Sequence, residues 1–195
     1  MKKLIIIVSL LFCLVVPADA YDLPENVKDA NTLHIHMRQN FYYAHDRVIP
    51  QYDEYFQAPV ILEFTRVGDC DDFAIYSSYY LLKMGYQVQP YVLILQDGNE
   101  FVGHAITVFY EESNNTYSVF SNQYLFKTLK TDPIEAIKDI YPTWTIIYQW
   151  NFSKIGYLTF KEVYADCDPV AFVDLETKIR YYIETIKEKV LDYVD

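Results

Sequence analysis

The chain has 195 residues and a formal net charge of −11 at pH 7, from 16 lysines and arginines against 27 aspartates and glutamates. Such an acidic chain repels nucleic acid and anionic membrane surfaces, so we expect no nucleic-acid partner. Its length suits one domain with a substantial core. The 20 tyrosines and 12 phenylalanines indicate a sheet-rich interior or a peptide-binding groove.

The N-terminal segment has the pattern of a secretory signal peptide. Lys2-Lys3 forms a positive start, residues 4–16 form a short apolar run, and Ala18-Asp19-Ala20 is a small-x-small cleavage site. We therefore expect residues 1–20 to be removed after Ala20, and the product to be secreted or extracytoplasmic. The alternative is an uncleaved membrane anchor, for which the apolar run is short.

The remaining chain, residues 21–195, predicts a single α+β domain. Its core covers about residues 33–165, and an amphipathic C-terminal helix follows over about 172–194. Pro90 favours an edge or strand-start position for the first long strand. In chain order we predict a helix over 33–44, a helix over 70–84, strands over 88–95, 101–110 and 116–121, a helix from 133 to near 142, and strands over 143–150 and 156–164.

One stretch, Arg66 to Ala74, delivers a cysteine to the start of a helix. Gly68 permits a sharp bend, Asp69 is a good N-cap, and two further aspartates occupy the acidic first turn. A thiol at a helix N-terminus has its thiolate stabilised, which is one way to make a cysteine nucleophilic. The flanking aspartates oppose this effect, so activation also requires a histidine.

A suitable histidine, His104, stands at the start of an alternating strand after Cys70, and Ser121-Asn122 ends the next strand. A helix packed on an antiparallel meander brings Cys70 and His104 together, where ion-pair formation activates the thiolate. A change of register by one residue exchanges the strand faces. The sequence therefore leaves open whether Ser121 or Asn122 orients the imidazole.

A resemblance to a known family rests on three motifs: Gly68-Asp69-Cys70-Asp71-Asp72-Phe73-Ala74, Leu82 to Gly85, and Gly103-His104-Ala105. They resemble the transglutaminase-like superfamily of papain-type cysteine enzymes, most closely its bacterial and archaeal transglutaminase-like cysteine peptidases. The resemblance covers roughly residues 30 to 125. It implies a papain/transglutaminase-like core and catalysis by Cys70 and His104. Where the family usually has an aspartate, this chain has Ser121-Asn122.

We therefore expect an exported cysteine-dependent amide or peptide hydrolase that acts on a protein or peptide substrate, including those of the cell envelope. Water as the acceptor gives hydrolysis and an amine gives crosslinking, and the residues leave both open. A second hypothesis is a non-catalytic module that binds a peptide or cell-envelope partner, because the third residue departs from the family pattern. A third is a structural protein with a Cys70–Cys167 disulfide; without that bond, Cys167 reads as a loop thiol.

This chemistry requires no cofactor. Some members of the superfamily bind calcium, and Asp69, Asp71 and Asp72 offer oxygen ligands, although helix capping and salt bridges are the simpler interpretation. Membrane contact is expected only through an uncleaved signal segment, and the oligomeric state is left open. The backbone N–H of Cys70 and one side chain are expected to hold the oxyanion. The candidates for that side chain are Gln39, Asn40 and Tyr42.

Overall fold

The computed structural model describes residues 22–23, 25–46, 54–151, 156–158, 163 and 165–191, so the segment predicted to be a signal peptide lies outside it. None of the described helices is long and apolar enough to cross a membrane. The helices are α1 (Ala30–Asn40), α2 (Pro59–Thr65), α3 (Cys70–Lys83), α4 (Pro133–Ile140) and α5 (Leu175–Leu191).

The largest sheet is antiparallel and has six strands in the order β10-β8-β4-β5-β6-β7. Two small sheets pair β1 with β3 in parallel and β2 with β9 in antiparallel. The predicted α+β fold, with α3 packed on an antiparallel sheet and a C-terminal helix, is confirmed. The strands are β1 (Tyr42–Tyr43), β2 (Glu54–Phe56), β3 (Val67–Gly68), β4 (Gln87–Asp97), β5 (Glu100–Glu111), β6 (Thr116–Ser121), β7 (Tyr124–Lys127), β8 (Trp144–Trp150), β9 (Gly156–Leu158) and β10 (Cys167–Phe172).

Helices cover both faces of this sheet. On one face, Phe73 and Tyr76 of α3 share a buried cluster with Phe109 of β5, and α1 contributes to the same cluster. On the other face, Ile137 of α4 shares a buried cluster with Ile106 of β5. Because side chains alternate along a strand, successive residues of β5 contact different helices. This alternation decides which face each site residue occupies.

The predicted bounds of α3 are confirmed to within one residue. The helix begins at Cys70 and ends at Lys83, and Gly85 follows with a φ of 89°. Its N–H donates to the Leu82 carbonyl, and the next N–H donates to the Leu81 carbonyl, each at 3.0 Å. This is the left-handed helix end that glycine favours.

Gly68 is required for space rather than for a bend. It lies in the extended strand β3 and has no left-handed φ, so the expected sharp turn is wrong. A Cβ atom at this position would lie 2.6 Å from Asp72 Oδ2 and 2.8 Å from Leu62 Cδ1. Glycine therefore allows β3 to approach the first turn of α3 closely.

Pro90 lies in an inner strand, which differs from the edge position that the sequence predicts. The strand β4 is flanked by β5 and β8, but its ladder to β8 begins only at Tyr91. Pro90 itself pairs with Thr107 of β5 alone. The proline is tolerated because the strand has a neighbour on only one side at that point.

The predicted loop position of Cys167 is wrong. Cys167 begins β10, pairs with Trp150 of β8, and is only 9% exposed. Pro169 fits within β10 because β10 is an edge strand and the register shifts between Pro169 and Ala171. This strand continues through Phe172, so the C-terminal helix begins at Leu175 rather than near 172.

Candidate active site

The position of Cys70 is fixed by the N-terminal cap of α3. Asp69 precedes the helix in an extended conformation, and its N–H donates to the Asp72 carboxylate at 3.3 Å. That carboxylate also accepts the backbone N–H of Gln57 at 2.7 Å. Asp72 is fully buried, so these bonds hold the first turn of α3 in one place.

Buried hydroxyl groups attach α3 to β5. Thr107 Oγ1 donates to the Ala74 carbonyl at 2.8 Å, and Ser77 Oγ donates to Thr107 Oγ1 at 2.8 Å. Ser78 Oγ lies 2.9 Å from the same Thr107 oxygen. These small polar side chains let the helix approach the strand closely. The same face of β5 carries Ala105, whose backbone N–H lies close enough to the Cys70 sulfur to lower the pKa of that thiol.

Cys70 and His104 line one cleft with a volume of about 400 Å³. The thiol lies beside β5 at the residue that follows His104, although no hydrogen bond joins Cys70 to His104 in the described part of the chain. Two carboxylic residues, Glu54 and Asp71, also line the cleft. Its apolar lining consists of Phe56, Val92, Ile94, Phe101, Ala105, Trp150 and Val163. Trp150 thus forms part of the wall of this cleft.

Two hydroxyl groups hold the imidazole of His104. Its Nε2 atom lies 2.9 Å from Ser121 Oγ and 3.0 Å from Tyr141 Oη. The Tyr141 and Ser121 hydroxyls are also hydrogen-bonded to each other. Among the described residues, none bonds to Nδ1 of His104. Both hydroxyl contacts are therefore at Nε2, which leaves Nδ1 unbonded in the described part of the chain.

The register of β5 and β6 decides which polar residue meets the imidazole. Ser121 pairs with Ile106, and His104 lies two residues before Ile106, so His104 and Ser121 share one face of the sheet. Asn122 follows the end of β6 with a left-handed φ of 49°. Its buried Oδ1 atom has no hydrogen-bond partner among the described residues. Ser121 makes the contact, and the catalytic role predicted for Asn122 stays a prediction.

Tyr141 is a site residue that the sequence pattern does not reveal. It is the first residue after α4, and its ring centroid lies 5.4 Å from that of His104. It reaches the imidazole because α4 packs on the face of β5 that carries His104. A tyrosine at a helix end has no spacing signature, so only contact between the layers identifies it.

The electrostatics of the cleft favour a neutral thiol and a neutral imidazole. Burial raises the pKa of the Cys70 thiol above its ordinary value, and the carboxylates of Asp71 and Asp69 raise it further. Burial also lowers the pKa of His104 to about 4. These shifts oppose the Cys70–His104 ion pair expected from the sequence.

Aspartates gather at the start of α3 in two overlapping groups. The ligand atoms of Asp69, Cys70 and Asp71 lie within 4.8 Å of one another, as do those of Asp46, Asp69 and Asp72. Burial and the neighbouring Asp69 raise the pKa of Asp71 well above its ordinary value. Burial also raises the pKa of Asp46 to about 6 and that of Asp72 to about 7.

Two of these carboxylates each have a buried oxygen without a hydrogen-bond partner in the described part of the chain. The Oδ1 atoms of Asp69 and Asp71 are buried and have no hydrogen-bond partner among the described residues. Buried, unpaired carboxylate oxygens that repel one another are the donors that Ca²⁺ prefers. The residues therefore fit a hard cation, in addition to their role in capping α3.

Tyr43 is a further candidate beside the side chains predicted to bind the oxyanion. Gln39 is exposed, Asn40 donates to a carbonyl of its own helix at 2.8 Å, and Tyr42 is 69% exposed. Tyr43 is 43% exposed, and its hydroxyl lies 3.4 Å from His45 Nδ1. Burial and the nearby Cys70 raise the pKa of Tyr43 to about 12, so its hydroxyl keeps its proton and can donate a hydrogen bond.

Both cysteines in the described residues are free thiols. Burial raises the pKa of Cys167 to about 12, with a further contribution from Asp166 and Asp168. The Cys167 thiol donates to the Val163 carbonyl at 3.4 Å. The Cys70–Cys167 disulfide of the third hypothesis is therefore not present in this structure, and Cys70 remains open to the cleft.

No model of a known protein family matches the sequence, and no curated protein matches it. Similar solved structures are Legionella pneumophila LapG and its calcium-bound form, each with 20% identity over 64% of this chain and a TM-score of 0.44. The EGTA-treated form has 18% identity over 70% of this chain and the same TM-score. The match covers 65%, 66% and 68% of the respective LapG chains, so it spans just under two thirds of the first.

Proposed function

We propose that this chain is an exported cysteine-dependent amide or peptide hydrolase of the transglutaminase-like type, with Cys70 as nucleophile and His104 as general base. The observation that supports this most directly is the shared cleft of about 400 Å³, which is lined by Cys70 at a helix N-terminus and by His104. A third group, the Ser121 hydroxyl, bonds to the same imidazole. Nucleophile, base and orienting residue are the parts that acyl transfer requires.

In the proposed mechanism, the Cys70 sulfur attacks the carbonyl carbon of an amide while its proton passes to His104. The backbone N–H of Cys70 and the Tyr43 hydroxyl donate to the oxyanion. His104 then gives the proton to the departing amine, which leaves a thioester on Cys70. Water activated by His104 hydrolyses this thioester and regenerates the thiol. An amine in place of water would give a crosslinked product.

The lining of the cleft suits a peptide with an apolar side chain near the scissile amide. Val92, Ile94 and Trp150 provide an apolar wall, whereas Glu54 and Asp71 place acidic groups along the lining. An acidic site in an acidic chain disfavours anionic substrates. The proposed substrates are therefore neutral or basic peptide segments, which include segments of cell-envelope proteins.

The proposal includes a calcium ion held by Asp69 and Asp71, whose unpaired buried oxygens fit such an ion. When bound there, the ion supplies positive charge that offsets the two carboxylates flanking Cys70. Burial is the largest cause of the raised pKa of the thiol, and those two carboxylates are the next largest. Cys70 is therefore expected to be more reactive with calcium than with EGTA.

The first test is the rate at which iodoacetamide alkylates Cys70 between about pH 5 and pH 10, a range that spans the ordinary thiol pKa. The Cys70 peptide is followed by mass spectrometry, and the buried Cys167 in the same sample is the internal control. We expect faster alkylation in calcium than in EGTA, and slower alkylation with a changed pH profile in His104→Ala, because the mutant lacks the proposed general base. A pH profile that is unchanged in His104→Ala would refute the coupling of the two groups.

A second experiment separates hydrolysis from crosslinking. The protein is incubated with a mixture of peptides, with and without a primary amine, and the products are weighed by mass spectrometry. Hydrolysis adds water at the cleaved bond, whereas crosslinking joins the amine with loss of ammonia. Cys70→Ser, which keeps the shape of the side chain, is the matched control and should abolish both products.

A non-catalytic peptide-binding module is the second candidate function. It is favoured by the neutral state of Cys70 and His104 and by the lack of a hydrogen bond between them among the described residues. This function predicts that calorimetry detects peptide binding that survives in both Cys70→Ser and His104→Ala. It also predicts that no peptide is converted by the wild-type protein under any calcium concentration.

A further inference from the structure

We propose that Tyr141, acting together with Ser121, is a positioning residue that sets the tautomer of His104. This inference rests on the proposed function, because it assigns the ring nitrogen that takes the thiol proton. Its basis is the triangle formed by His104 Nε2, Ser121 Oγ and Tyr141 Oη, whose three pairs are all within hydrogen-bond distance. In this site two neutral hydroxyls occupy the place where a carboxylate would orient the base.

The number of protons available determines how this triangle is satisfied. Each hydroxyl has one proton to donate, and one of the two hydroxyls donates its proton to the other. The hydroxyl that has donated can only accept from the imidazole. Its contact with Nε2 is therefore a hydrogen bond only if Nε2 carries a proton, whereas an unprotonated Nε2 would accept from the other hydroxyl alone and leave this contact unbonded. This conclusion holds whichever of Tyr141 and Ser121 is the donor.

The protonated Nε2 leaves Nδ1 as the unprotonated nitrogen of the neutral ring. Among the described residues none bonds to Nδ1, so this is the nitrogen that the proposed mechanism assigns to the thiol proton. The imidazolium that forms then donates its Nε2–H to the hydroxyl pair. A lone hydroxyl would satisfy its single contact in either tautomer, because it can donate to a bare Nε2 or accept from a protonated one. With two hydroxyls, only the protonated Nε2 makes both contacts hydrogen bonds.

The other titratable groups near the imidazole do not select a tautomer. The cleft is also lined by Glu54, Cys70 and Asp71, but the lowered pKa of His104 arises from burial. Tyr141 is protonated at neutral pH, since burial raises its pKa. The two hydroxyls are the groups that bond directly to the ring, so they are the ones that decide which nitrogen is protonated.

The test is the ¹⁵N chemical shifts of the His104 ring in the full chain at neutral pH. The chain has four histidines, so the His104 signals are assigned by their loss in His104→Gln. Wild type should show a protonated Nε2 and an unprotonated Nδ1. Tyr141→Phe and Ser121→Ala should each shift the ring towards the Nδ1-protonated tautomer. Tyr110→Phe, which removes a hydroxyl bonded to Asn115 at an exposed turn, is the matched control and should leave the tautomer unchanged.

A carboxylate at the Ser121 position provides the converse experiment. Ser121→Asp should keep Nε2 protonated without help from Tyr141 and should raise the pKa of His104 by about 1–3 units, as a carboxylate does to a neighbouring base. In Tyr141→Phe the alkylation rate of Cys70 should fall by about tenfold or more, in line with the loss of one hydrogen bond to a charged group. Ser121→Thr, which retains a hydroxyl, should preserve both the tautomer and the rate.

A wild-type ring protonated on Nδ1 would overturn the inference, and this measurement needs no variant to fold. An Nε2-protonated ring that persists in both Tyr141→Phe and Ser121→Ala would overturn it as well. Failure of the proposed function gives a different result: the tautomer shifts occur as expected, but wild type converts no peptide. The ring measurement and the peptide assay therefore distinguish the two failures.

Discussion

Replacing Gly68 with alanine should destabilise the packing of β3 against the first turn of α3, because the added methyl group has no space. Its Cβ would lie 2.6 Å from Asp72 Oδ2, 2.8 Å from Asp72 Cβ and 2.8 Å from Leu62 Cδ1. Both neighbours are fully buried, so neither can turn into solvent. Overpacking of a core costs about 1–3 kcal/mol.

The displaced Asp72 carboxylate adds a second cost. It accepts the N–H groups of Gln57 and Asp69, and a buried group that loses such a partner costs about 1–3 kcal/mol. Together these effects lower the free energy of unfolding of Gly68→Ala by about 2–6 kcal/mol. This is a large part of the 5–15 kcal/mol that is typical of a folded domain.

The assay is equilibrium unfolding in urea, with Gly103→Ala as the matched control. Gly103 also lies in a strand, but an added Cβ there meets nothing within 4 Å. Its substitution should change the free energy of unfolding by less than about 1 kcal/mol. If Gly68→Ala unfolds with the same free energy as Gly103→Ala, the space restriction at β3 is refuted.

Three further predictions concern other parts of the described chain. Glu63→Ala should lower the free energy of unfolding in urea by about 3–5 kcal/mol, because the buried carboxylate pairs with Arg66 at 2.7 Å and accepts from Tyr76 at 2.9 Å. The control Glu135→Ala, which removes an exposed ion pair with Lys138, should cost under about 1 kcal/mol. Burial lowers the pKa of His104 to about 4, so the free energy of unfolding of wild type should fall by up to about 1.4 kcal/mol per pH unit relative to that of His104→Gln as the pH falls from 6.5 towards 4. If the unfolding free energies of the two proteins change equally with pH, this prediction is wrong. Asp132→Ala should cost about 1 kcal/mol, because its carboxylate caps α4 at 2.9 Å; no change in the urea midpoint would contradict this.

Local chemistry in the sequence was sufficient to place Cys70 at the start of α3 and to predict much of the framework. The N-cap at Asp69 and the glycine at position 85 predict the two ends of α3 from short local patterns, and the helix begins and ends beside these residues in the structure. The cap at Asp132 and Pro133 likewise defines the start of α4. These features depend on neighbours along the chain, which a sequence displays directly.

Pairing between distant segments was decided only by the tertiary structure. Cys167 is a strand residue because β8 offers a free edge, and its local Asp-Cys-Asp-Pro context does not show this. Ser121 meets His104 because it pairs with Ile106, and a shift of one residue would have exchanged it for its neighbour. Tyr141 reaches the same ring because α4 covers that face of the sheet. The sequence determined which residues carry reactive groups, whereas register and layer packing determined which of them meet.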